Sequence, residues 1–371
     1  MGIFRIIVAH LYQPSSAATN RIVAYSRGFA ELGCQVVLLL GHDGKSPLPD
    51  IAGVEVVGVS SSVHQLLMPK MARTAKKYYN SKNSAILVYG TPSLCIYMPR
   101  QKYTIFYECT EVPFYGMRRT WKMRIKESLK MHLAKRATGM FVISQALKDY
   151  FSKNGIENIA VINMFVDIGR FKGKNEINDG KIDKYIAYCG KISNFKDGLD
   201  CLVKAFKIFH NIHSNYKLKL IGDFRFPEFE KELRSLISSL SLEDCIELTG
   251  AISAEKMPEL LCGAQMLALA RPNNDQAKYG FPTKLGEYLA TGNPVVVTNV
   301  GEIGQFLKDG VNCKMAEPDS PEDFAEKMMW VADHYDEALA LGKQGRKLTE
   351  TEFSCIEQSK KALNFMNQII G

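Results

Sequence analysis

The 371-residue sequence contains no apolar run of about 18 residues or more, so nothing in it predicts a membrane-spanning segment. The opening residues MGIFRIIVAH lack the long apolar region and the small-residue cleavage site of a signal peptide. Nine cysteines are scattered without a CxxC pair, and the histidines are not clustered. These absences argue against a disulfide framework and a zinc site, and they predict a protein of the reducing cytosol.

Two cofactor motifs are also missing. The segment DGLD at 197–200 contains no DxD metal motif, and no GxGxxG fingerprint follows the first predicted strand. The second absence argues against a dinucleotide-dependent dehydrogenase.

Composition and charge indicate two modules. Hydrophobic residues at 46% and charged residues at 23% are typical of a soluble globular protein, and the length suits two domains. Residues 1–180 carry 24 Lys and Arg against 12 Asp and Glu, whereas residues 181–371 carry 23 against 27. The first module therefore favours an anionic partner.

Short β-branched runs alternate with amphipathic stretches, which is the pattern of parallel sheets flanked by helices. Strands are predicted at 4–10, 35–41, 54–59, 85–89, 103–108, 139–144 and 159–163, then at 184–190, 217–223, 245–250, 265–270 and 294–299. Helices are predicted at about 18–32, 63–80, 118–137 and 145–153, between the later strands, and from 321 to the end. A polar stretch at 173–183 reads as the linker.

Four ordered motifs of the second module carry a family resemblance. They are CGKISNFKDG (189–198), LIGD (220–223), ELTGAIS (247–253) and GFPTKLGEYLATGNPVVVTNVGEI (280–303). This order resembles the retaining family-4 glycosyltransferases with the GT-B fold, and FVIS (141–144) and VINMFVDIGRF (161–171) match the family more loosely.

The resemblance implies an α/β fold of two Rossmann-like, doubly wound domains that face each other across a cleft, with helices at the C-terminus. We expect an acceptor-side domain at 1–175 and a donor-binding domain for the nucleotide sugar at 184–345. The last segment, 346–371, is expected to be a helix that packs back on the first domain.

Donor-binding residues are expected where strands of the second module end, because open α/β sheets bind ligands at carboxyl strand ends. Lys191 and Lys196 follow the strand that ends at Gly190, and in the family the corresponding cations hold the diphosphate. The alternative is that both lysines are solvated loop residues. Gly250 ends another strand of the same module.

The segment Phe281-Pro282-Thr283 leads into a helix whose first amides, at Thr283 and Lys284, can point at a phosphate or sugar oxygen. The string FPTKLGEY resembles a branch of the family in which a lysine at the position of Lys284 is a further cation beside the phosphate. In the family, a glutamate at the position of Glu287 binds the ribose hydroxyls; the alternative is a glutamate on the helix surface without a ligand. The first glutamate of the family signature is absent, since Tyr279 occupies its position.

Candidate acceptor-side residues follow strands of the first module. Glu108 and Glu111 are placed to orient or deprotonate an acceptor hydroxyl, unless they cap a helix or pair with arginines. His10, Ser15 and Ser16 are expected to border the same cleft, unless they are plain loop residues.

A basic stretch at 118–136 carries eight Lys or Arg and one Glu, interleaved with apolar residues. Such a cationic amphipathic helix is typical of a membrane surface, and the membrane-facing candidates are Arg118, Arg119, Trp121, Lys122 and Lys126. The alternative is an ordinary domain helix with a solvated face. Nucleic acid is not expected as a partner, since no recognised binding module accompanies the charge.

The sequence therefore predicts a glycosyltransferase that moves a hexose from a nucleoside-diphosphate sugar to a glycan or a polyprenyl-pyrophosphate-linked glycan, with retention, in cell-surface polysaccharide synthesis. No metal or other cofactor is expected. The predicted location is the cytoplasm or the inner face of the cytoplasmic membrane. Two alternatives stay open: a catalytically weak nucleotide-sugar-binding subunit, motivated by Tyr279, and a sugar-nucleotide epimerase on the same fold.

Overall fold

The structure is a computed structural model that describes residues 2–14, 16–42, 44, 46–61, 66–90, 92–111, 121–173 and 184–371, without the side chains of Met123, Lys126 and Asn194. The chain divides into two compact units. The first comprises Met1–Phe165 and Glu352–Gly371, and the second comprises Val166–Thr351.

Strands and helices alternate through the first part of the chain, as its apolar pattern predicts. In chain order they are β1 Arg5–Leu11, α1 Ala17–Glu31, β2 Gln35–His42, β3 Val54–Ser60, α2 Leu67–Tyr78, β4 Ser84–Tyr89, α3 Leu94–Tyr97, β5 Ile105–Cys109, α4 Trp121–Ala134, β6 Gly139–Val142, α5 Gln145–Lys153 and β7 Ile159–Val161. The strands form one parallel sheet in the order β3-β2-β1-β4-β5-β6-β7.

The second unit repeats this alternation. Its elements are a 3-10 turn at Ile168–Phe171, β8 Lys184–Cys189, α6 Asn194–Asp197, α7 Leu199–His210, β9 Tyr216–Ile221, α8 Pro227–Ser239, β10 Ile246–Gly250, α9 Met257–Cys262, β11 Met266–Leu269, α10 Asp275–Tyr279, α11 Lys284–Thr291, β12 Val295–Thr298, α12 Ile303–Phe306, β13 Lys314–Ala316, α13 Pro321–Asp333 and α14 Tyr335–Glu350. The strands form a parallel sheet in the order β10-β9-β8-β11-β12-β13. A final helix, α15 Cys355–Ile370, follows.

Both sheets are buried on two faces, which explains the continuous apolar runs of their central strands. Ile6, Ile7 and Val8 are consecutive in β1, and all three are fully buried although they alternate between faces. Strand β13 was not predicted, because its three residues, Lys-Met-Ala, contain no β-branched side chain and lie at the sheet edge.

The observed units differ in their limits from the predicted domains. The first unit ends at Phe165 rather than 175, and the second unit keeps α14 up to Thr351 rather than ending at 345. The predicted linker at 173–183 lies outside the described residues, apart from Gly173.

Helix α15 belongs to the first unit and packs against α1. Gly28 is the point of closest approach, because a Cβ atom there would lie 2.3 Å from Ser359 Oγ and 2.9 Å from the carbonyl oxygen of Cys355. Beside Ser359 in α15, the side chain of Gln358 accepts a hydrogen bond of 3.0 Å from the backbone N–H of Asn163, which follows β7.

We predict that Gly28→Leu destabilises the first unit by about 1–3 kcal/mol or more, because the added side chain forces α1 and α15 apart. Urea unfolding followed by circular dichroism measures the change. Glu31→Leu, at an exposed position of the same helix, is the control and is expected to have little effect. Equal stability of the two variants would contradict the close packing of α15.

Candidate functional site

The predicted donor-binding residues of the second unit lie at the carboxyl edge of its sheet. Gly190 follows β8 and has a φ of 145°, and Gly222, after β9, has a φ of 140°. A Cβ at Gly222 would lie 2.0 Å from the carbonyl oxygen of Gly190, so the two loops meet backbone to backbone. Gly250 ends β10 and forms a bridge with Gly222, which brings three strand ends together.

The two predicted lysines of the β8 loop occupy different environments. Lys191 is largely exposed, with its Nζ 3.7 Å from Asp223 Oδ2. Lys196 is half-buried on α6, and its charge contributes to lowering the pKa of Lys284. Lys196 is also the chain neighbour of Asp197, which binds Lys284 from 87 residues away in the sequence.

Lys284 is bound inside a buried network at the start of α11. Its Nζ donates hydrogen bonds to Asp197 Oδ2 at 2.6 Å and to the hydroxyl of Tyr188 at 2.8 Å. The Tyr188 hydroxyl donates to the same Asp197 oxygen at 2.7 Å. Gly190 makes room for this network, since a Cβ there would lie 2.3 Å from Lys284 Nζ.

Asp197 is a central residue of this edge that the sequence analysis missed. Its side chain is only 2% exposed. Burial acts to raise its pKa, but the charges of Lys284 and Arg271 outweigh burial and hold that pKa below its ordinary value. Burial lowers the pKa of Lys284, and the attraction of Asp197 opposes that change. We therefore assign an ion pair to Asp197 and Lys284, and part of the Lys284 charge is compensated before any ligand binds.

Helix α11 begins where the sequence analysis placed it. Its hydrogen bonds start with Leu285 N to Pro282 O and Gly286 N to Thr283 O, so the amides of Thr283 and Lys284 precede the bonded turn. Phe281 is buried and packs edge-on against Phe306, with ring centroids 5.6 Å apart. The hydroxyl of Tyr288 accepts a 2.7 Å hydrogen bond from the backbone N–H of Cys189, which fixes α11 against the end of β8.

Glu287 is only 17% exposed at its side chain and is held by a residue that the sequence analysis did not select. Arg170 Nη1 lies 2.5 Å from Glu287 Oε1, and Arg170 Nη2 donates to the carbonyl oxygen of Ala254 at 3.1 Å. Arg170 belongs to the 3-10 turn inside the VDIGRF segment. That segment resembles the family, but the sequence analysis gave Arg170 no role.

Tyr279, at the position of the family's first glutamate, is the last residue of the short helix α10. The side chain of Asn274 caps α10 by accepting from Ala277 N at 3.0 Å and donates to the carbonyl oxygen of Phe195 at 2.7 Å. This hydrogen bond ties α10 to α6, which carries Lys196.

In the first unit, His10 and Ser16 support the start of α1. Ser16 is its N-cap and accepts from the backbone N–H of Thr19 at 3.1 Å, while His10 Nε2 lies 3.3 Å from Thr19 Oγ1. His10 also packs edge-on against Tyr89 at 5.5 Å, and burial lowers the pKa of its imidazole to about 4. His10 is therefore neutral near pH 7. Ser15 lies outside the described residues.

Of the two roles that the sequence left open for Glu108, the structure shows the pairing with an arginine, and its side chain is fully buried. Glu108 Oε1 accepts hydrogen bonds from Arg21 Nη2 at 2.6 Å and Nε at 2.8 Å. Arg21 also donates to the carbonyl oxygens of Ile162 and Asn163, each at 3.0 Å. Complete burial raises the pKa of Glu108, and the charge of Arg21 opposes that change. Glu111, by contrast, is exposed, and its predicted role stays a prediction.

Helix α4 exposes an apolar face. Trp121, Ile125 and Leu129 follow each other at four-residue spacing, and their exposed fractions are 68%, 57% and 55%. Lys122 and Arg124 are exposed beside them, whereas Leu133 and Ala134 are buried. Arg118, Arg119 and the side chain of Lys126 lie outside the described part of the chain.

Two features are absent from the described residues. Within them, no group of three or more His, Cys, Asp or Glu side chains is arranged to hold a metal ion. Within the same ranges, no helix has both the length and the apolar character required to cross a membrane.

The carboxyl edge of the second sheet lies within a region that matches a known protein family. Residues 183–334 match the family described as Glycosyl transferases group 1. An uncharacterized glycosyltransferase of Methanocaldococcus jannaschii is 27% identical over 153 residues, which cover 41% of this chain and 40% of the relative. The lipopolysaccharide 1,2-N-acetylglucosaminetransferase of Salmonella typhimurium is 26% identical over 156 residues, covering 40% and 39%. The chain thus matches about two fifths of the length of these relatives.

Solved structures are similar over nearly the whole chain. Anabaena Alr3699/HepE, solved in complex with UDP and glucose, has a TM-score of 0.72 at 17% identity and covers 97% of this chain and 98% of its own. Sucrose-phosphate synthase from Thermosynechococcus elongatus has a TM-score of 0.75 at 15% identity and covers 98% of each chain. The predicted GT-B fold is confirmed. The family match and the relatives' names support the predicted class, a group 1 glycosyltransferase.

We predict that Glu108→Gln lowers the free energy of unfolding by about 3–5 kcal/mol, because it leaves the Arg21 charge buried without its partner. Glu111→Gln, at an exposed position of the same segment, is the matched control and is expected to stay within about 0.5 kcal/mol of the parent. Urea unfolding measures both. A Glu108→Gln chain of unchanged stability would show that the pair is not structural.

Proposed function

We propose that this chain transfers a hexose from a nucleoside-diphosphate sugar to a glycan or a lipid-linked glycan, with retention of configuration, in the synthesis of cell-surface polysaccharide. The observation that carries the proposal is the convergence of Lys196, Lys284 and the start of α11 at one sheet edge, within the region that matches group 1 glycosyltransferases.

The charge at this edge suits a departing diphosphate. Negative charge develops on the leaving group as the sugar bond breaks, and fixed donors placed there stabilise the transition state. Lys196 is the cation we assign to the phosphates, with Lys191 as an exposed second contact. The amides of Thr283 and Lys284 add the positive end of the α11 dipole. We propose that this set acts without a metal ion.

UDP is the nucleotide that we propose for the donor. Similar structures were solved with UDP, with UDP and glucose, and with UDP-glucose, which supports this choice of nucleotide. The curated relatives include proteins named for colanic acid and lipopolysaccharide synthesis, which supports a glycan acceptor.

A second candidate function is a catalytically weak subunit that binds a nucleotide sugar for a partner transferase. Tyr279 favours it, because the family's first glutamate, which contacts the donor sugar, is absent there. Turnover by the purified chain supports the transferase, whereas turnover only in the presence of a partner supports the subunit. Release of an altered free sugar nucleotide without any acceptor would instead indicate an epimerase.

We further propose that α4 contacts an anionic membrane surface at the cytoplasmic face. Its exposed apolar face, formed by Trp121, Ile125 and Leu129, can enter the headgroup region, and Lys122 and Arg124 beside it can pair with anionic lipids. The excess of cations over residues 1–180 adds long-range attraction. Such contact suits an acceptor that is itself lipid-linked.

Lys196→Ala is expected to weaken binding of UDP by about 10-fold to 150-fold while leaving uridine binding unchanged, because a charge-assisted contact to phosphate contributes roughly 1.5–3 kcal/mol. Isothermal titration calorimetry with the two ligands measures the difference. Lys204→Ala is the control, since Lys204 is an exposed lysine of the same unit that pairs with Asp200.

An equal loss for UDP and uridine would contradict the assignment of Lys196 to the phosphates. The same preparations test the metal requirement, because transfer should persist in EDTA. Loss of activity in EDTA that added Mg²⁺ or Mn²⁺ restores would contradict the metal-independent reaction.

For α4, we expect the parent chain to sediment with vesicles rich in phosphatidylglycerol at low salt and to be released at high salt. Each cation near such a surface contributes on the order of 1 kcal/mol, so Lys122→Glu with Arg124→Glu should lower the partition coefficient by about 30-fold or more. Lys76→Glu with Lys77→Glu changes the net charge equally on another exposed helix end and is the control. Vesicle binding that ignores both salt and the α4 substitutions would indicate an ordinary domain helix.

A further inference from the structure

Arg170 connects three segments of the second unit that surround Glu287. It lies in the 3-10 turn, it reaches the carbonyl oxygen of Ala254 in the loop after β10, and it contacts Glu287 on α11. Its side chain is 24% exposed and that of Glu287 is 17% exposed, so the contact is partly shielded from water. A shielded ion pair is screened less by salt than a surface pair.

The turn that presents Arg170 is itself anchored. The side chain of Asp167 caps it by accepting from Gly169 N at 3.0 Å, and Phe171 is fully buried. The guanidinium therefore starts from a fixed backbone. Its planar fork donates to Glu287 and to Ala254 at once, which a lysine with its single ammonium group cannot reproduce with the same geometry.

Only one oxygen of Glu287 is used in this pair. Oε1 receives the Arg170 hydrogen bond, and the contacts found among the described residues include none to Oε2. A carboxylate held by one oxygen keeps its second oxygen in a defined direction, ready to accept from a ligand hydroxyl.

We infer that Arg170 is a positioning residue that fixes Glu287 for the ribose of the donor and so sets the preference for ribonucleotides over deoxyribonucleotides. The inference rests on the proposed function, since it needs a nucleotide donor at this site, and on the ribose contact that the family resemblance implies for Glu287. It adds a residue and a selectivity that neither the motif order nor the family match assigns.

The test compares the affinities of UDP, GDP and ADP with those of their 2′-deoxy and 2′,3′-dideoxy counterparts, measured by calorimetry on the full chain. The parent chain is expected to prefer the ribonucleotide by roughly 10-fold or more, as for a hydrogen bond to a charged group. In Arg170→Met this preference should fall to within about threefold, with the affinity for the dideoxy nucleotide nearly unchanged. Arg170→Lys should recover part of the preference.

Glu287→Gln supplies the second arm of a double-mutant cycle. If Arg170 acts through Glu287, adding Arg170→Met to Glu287→Gln should not reduce the ribose preference further. A merely structural role would instead lower the affinities for ribo- and deoxyribonucleotides alike, and thermal melts of each variant separate that outcome from unfolding.

The measurements distinguish failure of the proposed donor site from failure of the role assigned to Arg170. If the parent binds none of the three diphosphates, or binds ribo- and dideoxy forms equally, the proposed donor site is wrong and the inference falls with it. If the parent discriminates and Arg170→Met discriminates equally well, the donor site stands and the role of Arg170 is overturned.

Discussion

The ion pair between Asp197 and Lys284 joins two elements that the chain separates by 87 residues. A carboxylate this deeply buried is stable only with a partner, so the loop after β8 and the start of α11 are held together. Lys196 and Thr283 are the chain neighbours of this pair, and they are brought to the same place as a result. The arrangement of the candidate donor site thus depends on an ion pair whose two members bind each other.

The first unit has a comparable ion pair at the end of β5. The two pairs differ in exposure to solvent, and that difference decides which of them can contact a ligand. Arg21 and Glu108 are both buried, and the arginine also binds two carbonyl oxygens after β7. Because solvent does not reach the Arg21–Glu108 pair, a ligand cannot contact it either. Lys284 remains 14% exposed at its side chain, and Lys196 beside it is half-buried, so this second edge stays accessible.

Local sequence patterns predicted most of this fold because the parallel strands are apolar runs and the helices amphipathic. They also led to Lys191, Lys196 and Thr283, which follow a strand end or precede a helix, whereas Glu287 was selected from the family resemblance. Asp197 and Arg170 were not selected from the sequence, because their roles depend on partners 87 and 117 residues away that no local pattern reveals. The pairing of Glu108 stayed one of two alternatives for the same reason, because its partner, Arg21, lies 87 residues away in the chain.

The first unit is built from two separate pieces of chain, Met1–Phe165 and Glu352–Gly371, whereas the second is one continuous piece. Synthesis therefore completes the second unit before it adds α15 to the first. Until then the face of α1 around Gly28 lacks the helix that covers it in the finished protein. Vectorial synthesis thus reverses the usual order, in which the N-terminal domain is finished first. Helix α1 is therefore synthesised long before the helix that packs against it.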